Sequence, residues 1–598
     1  MFQTFTTTSD PSQGAARLTA LRARLAAEGL AGFLVPRADA HQGEYVAPRD
    51  ERLAWLTGFT GSAGFAVVLP EVAGVFVDGR YRIQLREQVD LAAFAPVDWP
   101  ETLPGPWISA HLAAGELGFD PWLHSAEEIT RLEADLTGSA VTLRPCPNMI
   151  DAIWPDQPAP PLGRAFAHPD ALAGATSLEK RDRLAAELRA AGQKAAVITL
   201  PDSICWLLNI RGADVPRNPV LHGFAILHDD ARVTLYAEPA KFDEAVRAHL
   251  GAHVTLRPPS ALVPALHSLT GPVRVDRTSA PLAIAQELEE AGVAMVWGDD
   301  PCRMPKACKN AAEIAGTRAA HLRDGAAVVR FLHWLDETAP QGGLTEIAVV
   351  RALEGFRRET NALHDISFDT ISGAGPNGAI IHYRVTEATD RAVRPGELLL
   401  VDSGAQYQDG TTDITRTMPI GPAGAEERAC YTRVLQGLVA ISRLRFPRGV
   451  AGRDLDALAR AALWMAGQDY DHGTGHGVGA FLSVHEGPQR LSRLSEVPLR
   501  AGMILSNEPG YYRPGAFGIR LENLIVVEEA PPLGDNRPQF RFETLTFVPF
   551  DRRLIDLAQL APGERAWLDA YHAEVLAKIG PRVEGAVLDW LRAACAPL

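Results

Sequence analysis

Apolar positions along this 598-residue chain change period several times, and those changes divide it into three stretches. Leu18, Leu21 and Leu25 recur at helical spacing and stop near Gly29. The continuous run Gly32-Phe33-Leu34-Val35-Pro36 is short enough to predict a strand. Trp55-Leu56-Thr57-Gly58-Phe59 leads through Gly61-Ser62-Ala63-Gly64 into Phe65-Ala66-Val67-Val68-Leu69. That run and Val75-Phe76-Val77-Asp78-Gly79 predict neighbouring strands of a hairpin or meander. Proline crowding in Trp154-Pro155-Asp156-Gln157-Pro158-Ala159-Pro160-Pro161 predicts a linker that closes a first α/β domain over 1–160.

The same grammar then returns. A helical pattern over 178–190 leads into Ala195-Ala196-Val197-Ile198-Thr199-Leu200, and Cys205-Trp206-Leu207-Leu208-Asn209-Ile210-Arg211-Gly212 repeats the character of the Trp55 run. Gly223-Phe224-Ala225-Ile226-Leu227 and Val233-Thr234-Leu235-Tyr236 complete the parallel, so a second copy of the domain is predicted over 161–308. The third stretch, 309–598, opens with helical patterns over 311–336 and 345–359 and passes through short strands. It turns helical again from Pro562, with Trp567, Leu568, Tyr571 and Trp590. The expected fold class is therefore α/β (α+β), two similar N-terminal α/β domains and a larger third one. Chain length agrees, since 598 residues exceed what one core can serve.

Composition narrows the function classes. With 46% apolar and 22% charged residues the chain is ordinary for a globular protein. Its net charge of -15 argues against nucleic acid as a partner, because phosphate binding needs basic surface. No apolar run is long enough to predict a membrane span, and Met1-Phe2-Gln3-Thr4-Phe5 has no signal-peptide character. Six scattered cysteines contain no C-x-x-C pair, which fits reduced, packed thiols and a cytoplasmic location.

The chemistry gathers near the C-terminal end. Asp402 ends the apolar run Leu398-Leu399-Leu400-Val401, and Asp413 lies in Thr412-Asp413-Ile414-Thr415. The turn signal Gln408-Asp409-Gly410 between them predicts a hairpin, with a longer loop or bulge needed to turn both aspartates into one cavity. His472 and His476 sit in a glycine-rich run that disfavours a helix and predicts a strand or loop approaching a metal or substrate closely. Glu508 precedes Pro509-Gly510, and Glu522 shares strand parity with Arg520, a candidate to orient ligating carboxylates. Gly373-Ala374-Gly375-Pro376-Asn377-Gly378 fits G-x-G-x-x-G, but Pro376 and a predicted strand at Ala379-Ile380-Ile381-His382-Tyr383 speak against a dinucleotide loop; these glycines are expected to present His382. Four carboxylates in one neighbourhood would repel one another strongly, whereas two divalent cations would bring their charge near zero. Oxygen-rich ligation with one imidazole favours Mn(II) or Co(II), with Zn(II) overlapping.

These segments resemble the pita-bread metallopeptidases, and within them the long, three-domain aminopeptidase P (Xaa-Pro aminopeptidase) group. The stretches that carry the resemblance are Asp402-Ser403-Gly404, Gly410-Thr411-Thr412-Asp413-Ile414-Thr415-Arg416, His472-Gly473-Thr474-Gly475-His476-Gly477, Asn507-Glu508-Pro509-Gly510 and Gly518-Ile519-Arg520-Leu521-Glu522-Asn523. Asp39-Ala40-His41-Gln42-Gly43-Glu44-Tyr45 in the first domain adds to them. The resemblance implies creatinase-like N-terminal domains ahead of a pita-bread domain, and two metals. Asp402 would bind one metal, His476 and Glu508 the other, and Asp413 and Glu522 would bridge them. It also implies attack by a hydroxide held between the metals, Glu508 as proton shuttle, and His382, His472 and His485 as substrate-binding groups. The expected substrates are peptides with proline second, and the expected assembly is a homodimer. Tyr511, Tyr512 and Phe517 are candidates for the proline pocket. A prolidase-type dipeptidase and a non-catalytic pita-bread binding protein are the alternatives.

Overall fold

The computed structural model describes residues 1–598. The chain forms two compact units, one of Thr8–Arg303 and one that joins Met1–Thr7 to Met304–Leu598.

The Thr8–Arg303 unit contains two six-stranded sheets of one design. The first is made of β1 (Gly32–Pro36), β2 (Phe65–Val68), β3 (Ala73–Val77), β4 (Ala95–Asp98), β5 (Ala114–Phe119) and β6 (Ala140–Pro145), in the order β4-β3-β2-β1-β5-β6. The second is made of β7 (Ala195–Ile198), β8 (Phe224–His228), β9 (Val233–Tyr236), β10 (Val254–Arg257), β11 (Val273–Val275) and β12 (Met295–Trp297), in the order β10-β9-β8-β7-β11-β12. β1 pairs antiparallel with β2 and parallel with β5, and β7 does the same with β8 and β11. The repeat read from the sequence is thus a repeat of topology. The paired tryptophan segments are helices in both copies: α1 (Arg52–Thr57) and α2 (Pro201–Leu208). α1 ends at Gly58 with φ 89°, where a left-handed residue closes the last turn. α2 ends at Asn209 with φ 49°, and the Asn side chain accepts from Lys180 Nζ at 2.7 Å and donates to Asp170 Oδ1 at 2.7 Å.

In the other unit, α3 (Ala311–Thr338) starts at a capping box in which Asn310 and Glu313 satisfy each other's backbone N–H. α4 (Glu346–Arg358) is capped by the Thr345 hydroxyl, and α5 (Ala425–Ser442), α6 (Gly452–Trp464), α7 (Pro562–Ile579) and α8 (Gly585–Ala594) complete the helical layer. Trp590 on α8 donates its indole N–H to Asp336 on α3 at 2.9 Å. The first residues also pack here: Gln3 exchanges two hydrogen bonds with the Thr370 backbone, and Glu387 N–H donates to the Phe5 carbonyl.

Strands β13 (Ile371–Ala374), β14 (Glu397–Ser403) and β15 (Ile414–Ile420) form an antiparallel sheet in the order β13-β14-β15. Leu399 and Val401 pack with Ile414, Met418, Val328 and Phe331, so alternation sends Leu398, Leu400 and Asp402 to the opposite face. A second, six-stranded sheet contains β16 (Arg445–Pro447), β17 (Gly475–Gly477), β18 (Glu486–Leu491), β19 (Ile504–Asn507), β22 (Asn523–Ala530) and β23 (Gln539–Thr544), with the hairpin β20 (Gly510–Arg513) and β21 (Phe517–Arg520) between β19 and β22 in the chain. One expectation fails. Ala379-Ile380-Ile381-His382-Tyr383 is no strand: Gly375–Ala379 is a 3-10 helix and His382 lies in the turn that follows. The glycines explain why. A Cβ on Gly518 would meet the Gly378 carbonyl oxygen at 1.7 Å, so the His382 segment rests its backbone directly on β21.

Candidate metal centre

The hairpin β14–β15 keeps one register from Glu397↔Ile420 to Ser403↔Ile414, and the pairs Gln406↔Thr411 and Tyr407↔Gly410 continue it to the tip. No bulge is needed. Asp402 lies opposite Thr415, and Asp413, two residues from Thr415 and immediately before β15, shares its face as the diagonal neighbour. Asp402, Asp413 and Glu522 are 7%, 3% and 1% exposed.

His476 faces them from β17. Its Nδ1 lies 3.0 Å from the Gly477 carbonyl, which can only accept, so Nδ1–H donates there and Nε2 is the nitrogen turned toward the carboxylates. Nε2 is 3.3 Å from Glu508 Oε1 and 3.5 Å from Asp413 Oδ2. Asp413, His476 and Glu522 each bring one ligating atom within 4.8 Å of the others. The glycines around His476 serve the sheet rather than a ligand: a Cβ on Gly475 or Gly477 would meet the backbone oxygen of Ser506 or Glu486 at 1.9 or 2.3 Å. The His485 ring stands edge-on to His476 with centroids 4.3 Å apart.

Arg520, fully buried, ties the opposite side together. Its Nη2 donates to Asp402 Oδ2 at 2.6 Å and its Nη1 to the Tyr512 hydroxyl at 2.7 Å. His472 Nδ1–H donates to the Gly473 carbonyl at 2.8 Å, leaving Nε2 2.9 Å from the same hydroxyl. Tyr512 therefore accepts from Arg520 and donates to His472. Burial works against the charge of Arg520, but Tyr512, Asp402 and Glu508 hold its pKa well above the ordinary value. Phe517, a pocket candidate from the sequence, is instead buried in the apolar cluster with Ile519 and Leu521.

The electrostatics ask for a cation. Burial first, then the charges of Asp402 and Glu508, push the Asp413 carboxyl far up; burial, then Asp413, Glu508 and Asp402, do the same to Glu522. Glu508 is raised by burial despite His476 and Arg520. Asp402 Oδ1, Asp413 Oδ1 and Glu522 Oε1 are buried with no hydrogen-bond partner, whereas their sister oxygens are tethered or face His476. Oxygens left bare among like charges are what a divalent cation would occupy. Reading residue types alone missed two hydroxyls here. Thr415 Oγ1 donates to Glu522 Oε2 at 2.7 Å, and Ser506 Oγ donates to Glu508 Oε1 at 3.0 Å. Their signal was the strand period: Thr415 is two residues from Asp413, and Ser506 two from Glu508.

Comparison with known proteins fits this geometry. Residues 315–529 match Metallopeptidase family M24, 17–153 and 156–313 each match the Creatinase/Prolidase N-terminal domain, and 538–598 match the C-terminal region of that peptidase family. A "Probable Xaa-Pro aminopeptidase P" of Laccaria bicolor is 38% identical over 97% of this chain and 93% of its own length. This chain belongs to metallopeptidase family M24. Its family relatives include "Aminopeptidase P2" of Arabidopsis thaliana, 39% identical over 94% of this chain and 85% of that protein. A crystal structure of an X-prolyl aminopeptidase from Caenorhabditis elegans, described as a cytosolic enzyme with a di-nuclear active site, superimposes with a TM-score of 0.91 at 33% identity, covering 98% of this chain and 99% of that one. All nine site residues expected from the sequence, His382 to Glu522, fall inside the M24 match. Two creatinase-type domains precede a pita-bread domain here.

Proposed function

We propose that this chain is an Xaa-Pro aminopeptidase that uses two divalent cations to release the N-terminal residue from peptides with proline in second position. The observation that carries this reading is the set of bare carboxylate oxygens on Asp402, Asp413 and Glu522 facing His476 Nε2, in a chain that spans 93% of its Laccaria bicolor relative. In this reading Asp402 would hold one cation, His476 and Glu508 the other, and Asp413 and Glu522 would serve both, with Mn(II) the first candidate and Co(II) or Zn(II) next. A cation pair held there would supply positive charge for a developing oxyanion and would acidify a water nucleophile.

The chain's own groups do the rest. Arg520 fixes Asp402 by occupying one of its oxygens, leaving the other for ligation. Glu508, its carboxyl raised by burial, is suited to hold and pass on a proton from water to the leaving amine. His472, held by Tyr512, and His485, beside His476, line the substrate side together with His382, whose turn rests on the strand that carries Arg520. The relative described as cytosolic supports a cytoplasmic enzyme, and no helix is long and apolar enough to cross a membrane. A homodimer is the proposed assembly.

The doubled N-terminal domain favours this reading over a prolidase, and the complete ligand set favours it over a non-catalytic scaffold. Hydrolysis of Arg-Pro-Pro and of Gly-Pro, with and without added Mn(II), tests it. Metal-dependent release of arginine from the tripeptide is expected; rapid cleavage of Gly-Pro alone would make the chain a prolidase, and inactivity with no metal uptake would make it a binding protein.

A further inference from the structure

A second buried group of ligand-type side chains lies in the Thr8–Arg303 unit, remote in sequence from the M24 match. Asp39, Asp50 and His222 each place one ligating atom within 4.8 Å of the others. Asp39, 1% exposed, is fixed through Oδ1, which accepts the N–H groups of His41 at 2.9 Å and Gly43 at 3.1 Å. Its Oδ2 is buried and has no hydrogen-bond partner, although His222 Nε2 is only 3.3 Å away. Two donor atoms that close, and not aligned as a hydrogen bond, have the spacing of neighbouring ligands on one ion: metal bonds of about 2.1 Å put them roughly 3.0–3.4 Å apart.

The charges point the same way. Arg52 is shared: its Nη1 donates to Asp50 Oδ1 at 2.8 Å, and its Nε and Nη2 grip Asp151 at 2.6 and 3.0 Å. One guanidinium thus serves two carboxylates, and Asp39 adds a third negative charge whose hydrogen bonds come from backbone N–H groups. His222 is preset, because its backbone N–H donates to Asp214 Oδ2 at 2.7 Å and its ring packs on His41 with centroids 4.6 Å apart.

We propose that Asp39, Asp50 and His222 form a third divalent-cation site, separate from the catalytic pair, which joins the first α/β lobe to the second. Two carboxylate oxygens and an imidazole suit Zn(II) or Mn(II), with water completing the shell. The site is structural and leaves the peptidase chemistry to the other unit.

The test counts Zn(II) on the full-length protein after chelation, reloading and gel filtration. Wild type should hold three ions per chain, Asp39→Asn and His222→Phe two each, and Asp413→Ala should keep the one in the N-terminal unit. The His222→Phe change preserves ring packing, so it serves if Asp39→Asn fails to fold. Thermal melting should add a second readout, with reloading raising the midpoint of Asp413→Ala but not of Asp413→Ala combined with His222→Phe. An unchanged count in a folded Asp39→Asn or His222→Phe protein, or none in Asp413→Ala, would overturn the proposal. None of these outcomes depends on peptide hydrolysis, so the peptidase reading stands or falls separately.

Discussion

Asp324 and Arg357 form a two-pronged ion pair, 2.8 and 3.0 Å, with neither residue exposed to solvent. Arg357 also donates to the carbonyls of Ser403 and Gly404, and Asp324 accepts from the hydroxyls of Thr412 and Tyr407. The pair therefore grips the hairpin immediately beside Asp402 and Asp413, from helices α3 and α4. Asp324→Ala would strand a buried guanidinium and should cost about 3–5 kcal/mol. Chemical denaturation checks the loss, and metal content should fall with it because the hairpin loses its anchor.

Asp413→Ala should abolish catalysis and strip the catalytic centre of its ions, since the oxygen removed faces His476 and lies beside Glu522. Elemental analysis together with the Arg-Pro-Pro assay checks both. A variant that kept full activity would end the dinuclear reading.

Arg520→Lys keeps the charge but cannot span Asp402 and the Tyr512 hydroxyl at once. Activity or metal affinity should drop by about 10–100-fold, as for other groups that orient ligands. Tyr512→Phe should do less to metal content and more to turnover, because it releases His472. Comparing kcat, KM and bound metal in the two variants separates these effects.

Metal-free protein should show a distinctive pH dependence. Asp413, Glu508 and Glu522 have folded-state pKa values raised above their ordinary ones, so the folded chain binds more protons than the unfolded one above about pH 4. Their contribution to stability is present at low pH and is lost as pH rises. Metal loading must displace those protons, so apparent affinity should increase with pH. Titration calorimetry in buffers of different ionisation enthalpy measures the proton release, and the stability slope should flatten once metal is bound.

Glu346 offers a pH effect away from the metals. Its buried carboxyl, pushed up to about 7 by burial, meets the N–H groups of Ala374 and Arg391, the Asn377 amide and the Tyr383 hydroxyl, which also lies 3.0 Å from the Thr389 carbonyl. One hydroxyl proton cannot serve both oxygens, and a protonated Glu346 resolves this by donating to Tyr383. Stability from this group should be present below pH 4.5 and lost as pH rises through 7. The melting difference between wild type and Glu346→Gln, followed from pH 5 to 8, should shift steadily against wild type. Because these contacts hold the turn that carries His382, turnover of the variant should fall while bound metal stays unchanged.

Much of this was legible in the sequence because period and burial agree. Helix α3 and the duplicated sheets follow apolar spacing that nothing tertiary opposes. The Asp409-Gly410 turn signal predicts the hairpin, but the longer loop or bulge expected with it is replaced by a diagonal across an unbroken register. The His382 segment looked like a strand because Ile380, Ile381 and Tyr383 are strand formers; the backbone contact between Gly378 and Gly518, made by residues 140 apart, overrides that local preference. The tether from Arg520 to Asp402 was anticipated as a role. Its continuation through Tyr512 to His472 could not be, since it is assembled from three separate strands and loops.

The unbroken register has a consequence for how this hairpin can change. Surface hairpins usually absorb insertions, but a single residue added within Ala405–Tyr407 would reverse the facing of everything that pairs beyond it. Such a change would turn one aspartate away from the other while leaving every ligand present in the sequence. Chain length between Asp402 and Asp413 is therefore as much a part of the centre as the two carboxylates, and it can vary only in steps of two.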